Sequence, residues 1–71
     1  MAAIRIVWTN KHSNETGFVK DVDSKNRHFV NTFEADEAKV FPNAGLAVRT
    51  INRLIEFGEG ENNDFSTVTV E

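Results

Sequence analysis

The chain has 71 residues, no cysteine, 39% apolar residues and a formal net charge of −3. A length of this order specifies one small domain that buries roughly 60% of the surface its unfolded chain exposes. The missing cysteines exclude disulfides and thiolate metal sites. No run approaches the roughly 18 apolar residues of a membrane span, and the N-terminus lacks a signal-peptide core, so the expectation is a cytoplasmic protein.

Ile4, Ile6 and Trp8 alternate with Arg5 and Val7, the period of two of a half-buried strand. The polar stretch Thr9 to Thr16 is turn-forming, and Gly17 to Val22 reads as a second strand, which makes a hairpin with a long loop. Asp23, Ser24, Lys25 and Asn26 form a turn by composition, because such side chains hydrogen-bond their own backbone. Arg27 to Thr32 reads as a third strand, and connections this short make the meander antiparallel. A short helix, or a single helical turn, is expected over Glu34 to Lys39, capped by Asn31 or Thr32, with Val40 and Phe41 closing it against the core and Pro42 ending it.

The stretch from Asn43 to Gly58 carries the clearest pattern. Ala44, Ala47, Val48, Ile51, Leu54 and Ile55 recur at helical spacing and fall within an arc of roughly 120°, a stripe that can lie on a sheet. Asn43 is a good N-cap and Gly58 a good C′ residue. Glu59 to Asp64 reads as a flexible acidic loop. Phe65 to Val70 reads as a last strand, expected beside the first. The fold class is therefore α+β: three to four mainly antiparallel strands with one amphipathic helix on one face, in the order βββ, short α, α, β, as one domain over residues 1–71. A single long helix covers only one sheet face.

The run Gly17-Phe18-Val19-Lys20, then Thr32-Phe33, Ala38-Lys39-Val40-Phe41, Asn43, Ala47, Ile51 and Leu54, resembles small phage and prophage proteins built from a strand hairpin, a tight turn, a helix and a last strand. The likeness spans roughly residues 17–57 and its motifs are structural: Ala38 and Ala47 for close packing, Phe41 as a seal between sheet and helix. It implies an origin in a mobile element and carries over no functional residue.

Chemistry is sparse. His12 and His28 lack the spacing of metal ligands. The run from Asp21 to Asn26 begins like a calcium loop, but Lys25 and Asn26 stand where an oxygen ligand and a glycine are needed. Glu59, Glu61 and Asp64 read as a solvated loop rather than an ion site, no nucleophile has a base beside it, and no cofactor or metal is expected.

The strongest interaction signal is the outer side of the main helix. There Leu46 and Phe57 fall about 20° apart on the helical wheel, bordered by Arg49 and Arg53, the composition of an interface centre. The leading expectation is a non-enzymatic protein-interaction module, binding an unknown protein partner or itself as a homodimer; the competing one has Phe57 tucked under the following loop and Leu46 packed on the Phe41 corner. Residues 1–33 carry a net +2 and residues 34–71 a net −5. That split admits two alternatives: nucleic-acid binding through Arg5, Lys20, Lys25 and Arg27 with Phe18 or Phe29 stacking on bases, or an acidic decoy that presents Glu34, Asp36, Glu37 and the last loop to a nucleic-acid-binding protein.

Overall fold

A computed structural model describes residues 3–70. Four strands, β1 (Ala3–Asn10), β2 (Thr16–Asp23), β3 (His28–Thr32) and β4 (Asn63–Val70), form one antiparallel sheet in the order β3-β2-β1-β4. The helix α1 (Ala44–Glu56) packs on one face, which confirms the α+β class and the place of the last strand beside the first. No helix among the described residues is long and apolar enough to cross a membrane.

The alternation of β1 sets the two sheet faces. Ile6 and Trp8 point to the helix and are buried with Val19, Phe41, Ala47 and Leu54; Ile4, Val22, Phe29, Ile51, Phe57 and Phe65 pack around them. Trp8 lies over Gly17, where a Cβ would come within 2.7 Å of the indole and 2.8 Å of the Thr32 carbonyl. The indole N–H donates to the Phe18 carbonyl at 3.0 Å, so the one polar atom of the ring is satisfied inside the sheet. The opposite face carries Arg5, Val7, Phe18, Val30 and Val68, set there by register.

β1 and β2 pair only from Val7 to Thr9, and a bulge between Val19 and Asp21 bends β2 away. The segment leading to the helix enters the gap. Phe41 exchanges two backbone hydrogen bonds with Ile4, at 3.0 and 2.8 Å, and the Lys39 N–H donates to the Val19 carbonyl at 3.0 Å. This wedge buries Phe41 and Ala38 and launches α1 from between two strands.

The helix ends as its sequence dictates. Asn43 Oδ1 accepts from the Leu46 N–H at 3.0 Å, and Gly58 stops the helix at φ +96°. Three expectations are corrected. The helix over Glu34 to Lys39 is one 3-10 turn, Ala35–Glu37, with no side-chain cap; Thr32 Oγ1 instead accepts from the Glu34 N–H at 3.1 Å and donates to Glu37 Oε1 at 2.9 Å. The acidic loop is a second 3-10 turn, Glu59–Glu61, running directly into β4, with Asn62 tied to Lys11 through the backbone at 2.8 Å.

The third correction concerns the helix stripe. Ala47 and Leu54 are buried, but Val48 is 48% and Ile55 52% exposed. Relative to the six-residue stripe, α1 is rolled by roughly 50° at 100° per residue. The roll brings Phe57 towards the sheet, where the Arg27 guanidinium lies over its ring at 5.4 Å and donates to the Glu56 carbonyl at 3.2 Å. Burying an aromatic ring removes more apolar surface from water than burying Ile55 would.

Candidate protein-interaction groove

The roll gives α1 two flanks of different chemistry. On the side facing the wedge, Leu46, Arg49, Thr50 and Arg53, with Asn52 and one carboxylate, Glu56, line an open groove of about 710 Å³ whose other wall is Lys39, Val40, Phe41 and Pro42. Period-two geometry explains the wall: with Phe41 bridged to Ile4 and turned into the core, its neighbour Val40 must point out. Val40 is 51% and Leu46 40% exposed, and they make the apolar floor.

Three cations border that floor. Lys39 sits 4.0 Å from Asp21, a distance at which an exposed pair attracts only weakly. Arg49 and Arg53 form no ion pair among the described residues. Their guanidinium groups are thus available as forked donors for a carboxylate, in a chain that is acidic overall.

Of the residues expected on the outer helix side, Leu46, Arg49 and Arg53 line this groove and Phe57 does not. Phe57 is half-buried against the core, with the Arg27 guanidinium over its ring. Sequence reasoning missed Lys39 and Val40. The period-two signal around Phe41 could have found Val40, had the segment been read as a strand fragment rather than the end of a short helix; its assignment to the core is corrected accordingly.

No family model, curated protein or solved structure matches the chain.

The cations of the alternative site do not converge. Arg5 lies on the face away from the helix, with its Nε buried and unpartnered among the described residues. Lys20 sits at the bulge, Lys25 in the β2–β3 turn, and Arg27 is turned to the helix end against Phe57. Phe18 and Phe29 lie on opposite faces of the sheet, so they do not form one stacking platform. Phe29 belongs instead to an aromatic cluster, edge-on to Phe65 at 5.5 Å and 6.5 Å from Trp8, with Phe33, 62% exposed, edge-on to Trp8 at 5.7 Å.

The acidic residues of the decoy reading are divided between the two 3-10 turns, with Asp64 at 3.7 Å from Lys11. His12 Nε2 lies 3.2 Å from Asn62 Oδ1, and His28 Nε2 lies 3.6 Å from Asp23 Oδ2. In the β2–β3 turn the Asn26 side-chain amide donates to Asp23 at 2.8 Å. That bond, aided by the backbone N–H groups of Asn26 and Lys25 and by the nearby His28, holds the Asp23 carboxyl below the usual carboxylate range. No group of three or more His, Asp or Glu side chains is placed to hold a metal ion among the described residues.

Proposed function

We propose that this chain is a non-enzymatic protein-interaction module that seats an acidic, amphipathic segment of a partner protein in the groove between α1 and the Lys39–Pro42 segment. The observation that carries the reading is an apolar floor of Val40 and Leu46 beside two arginines without acidic partners among the described residues. Burial of a partner's leucine or phenylalanine on that floor supplies the affinity, and Arg49 and Arg53 select for carboxylates and fix register. The resemblance to small phage proteins supports a mobile-element origin, in which such a module acts on a cytoplasmic host protein.

The test is NMR titration with a synthetic helical peptide patterned in Glu and Leu, with single-stranded DNA as the competing probe. The expected result is peptide-induced shifts centred on Val40, Leu46, Thr50 and Arg53, with affinity that falls as salt rises. Leu46→Ser and Arg53→Ala should each weaken binding by about 10-fold or more at unchanged melting temperature. Shifts confined to other surfaces would overturn the groove, and a preference for DNA whose affinity falls steeply with salt would replace this reading by the nucleic-acid one.

A further inference from the structure

The second flank of α1 and the free edge of the sheet belong together. β4 pairs with β1 along its whole length without a bulge, and among the described residues no strand pairs with its other side. From Phe65 to Val70 the strand contains no charge, no proline and no glycine, which are the devices that keep an exposed edge from pairing. β3, the other edge, is only five residues long and lies against a bulged neighbour.

The hydrogen bonds of β1 identify the groups that β4 leaves free. Ile4 directs both its N–H and its C=O to Phe41, and the Asn10 N–H points to Glu15, so the even-numbered residues of β1 bond away from β4. The odd-numbered residues bond towards it: the Lys11 N–H reaches the Asn62 carbonyl at 2.8 Å. By register, Arg5, Val7 and Thr9 then bond Val68, Ser66 and Asp64. The N–H and C=O groups of Phe65, Thr67 and Thr69 therefore point outward, without a strand partner.

We infer that β4 pairs with β4 of a second copy of this chain, antiparallel about a two-fold axis at Thr67, to make one continuous eight-stranded sheet. A register centred on Thr67 pairs all three of these residues. Phe65 then faces the partner's Thr69 in a bonded pair, Thr67 faces its own copy, and no charge lies opposite a like charge.

The helix position agrees with this arrangement. α1 lies over β1 and β4. A two-fold axis normal to the sheet puts both helices on the same face. At about 4.8 Å between strands, helices centred over β1 and β4 stand about 10 Å apart across the axis, within packing distance. The flanks that meet carry Val48 and Ile55, the two large stripe residues left exposed by the roll. Ile55 already lines a cleft with Asp64 and Phe65 at the start of β4. The groove with Leu46 and Arg53 lies on the other flank of α1, so it stays open in the dimer.

Sedimentation and native mass measurement of the whole chain test the inference, with thermal unfolding as the control for folding. The unaltered chain should sediment as a dimer. Thr67→Pro removes an outward N–H that bonds nothing within one chain, so it should fold and sediment as a monomer. Ser66→Pro removes an N–H bonded to β1 and should unfold the chain. Ile55→Lys puts a charge into the apolar helix flank that would be buried against the partner, without disturbing the monomer core, and it too should yield a folded monomer. The inference is overturned if the unaltered chain remains monomeric at about 1 mM, where even a dimer with a Kd of that order is substantially formed. It is overturned equally if Ile55→Lys leaves the dimer at its original affinity. Leu46→Ser should leave the dimer unchanged, so failure of this assembly and failure of the groove are read separately.

Discussion

Gly17 shows how one residue fixes the packing around it. Its missing Cβ is the space that the Trp8 indole and the Thr32 carbonyl occupy, and both neighbours are held, the indole by its bond to Phe18 and the carbonyl by being backbone. Gly17→Ala should therefore destabilise the fold by about 1–3 kcal/mol. At this chain length that is a loss of roughly 4–8 °C of melting temperature for each kcal/mol, readable by thermal unfolding. Asp23 acts through the β2–β3 turn, and its effect has a sign in pH. A carboxyl whose folded value is depressed contributes stability that is fully present above its ordinary value of 3.8 and is lost as pH falls through the folded value. Asp23→Ala should lower the melting temperature at neutral pH, and the gap to the unaltered chain should narrow in strong acid. Melting curves of both chains across an acid pH series measure this.

At the scale of elements, the helix shows what periodicity supplies and where it stops. The caps at Asn43 and Gly58 were legible because they depend on a few adjacent residues, and Asn43→Ala should cost about 1 kcal/mol in chemical unfolding. The roll of α1 was not legible, because it depends on what the neighbouring elements offer. Ile51 is the centre of the stripe by spacing, yet it is only half-buried, and Leu54 is fully buried. Leu54→Ala should cost about 2–5 kcal/mol, a large share of the stability of a domain this small. Ile55→Ala should change it by no more than about 0.5 kcal/mol. Phe57→Ser should destabilise the chain, since the ring carries core contacts and the Arg27 stack. Denaturant titrations of the three variants read the roll directly: the order Leu54, then Phe57, then Ile55 is the expected one.

For the whole molecule, the decisive event is the entry of Lys39–Phe41 between β1 and β2. It buries Phe41, turns Val40 outward and sets Lys39 across a groove from Arg49 and Arg53, residues ten or more positions away in the chain. Val40→Ser should therefore weaken peptide docking while leaving the melting temperature nearly unchanged, which a parallel NMR titration and thermal scan would show. The same architecture leaves the two sides of α1 with separate surfaces, one basic and apolar beside the wedge, one apolar beside the bare edge of β4. Together they make a module that can pair with itself and still present a groove on each copy.

The sequence by itself determined the strand segments, the helix with both of its caps and the antiparallel meander of the first three strands, because alternation, helical spacing and turn chemistry act over a few neighbouring residues; the strand order came from the tertiary structure. It marked Leu46, Arg49 and Arg53 as outward-facing on the helix for the same reason. Only the tertiary structure decided that Phe57 turns inward, that Val48 and Ile55 stay exposed, and that Val40 completes a groove. Spacing fixes where a side chain points around its own axis; how much water it loses depends on which surface from elsewhere in the chain arrives to cover it.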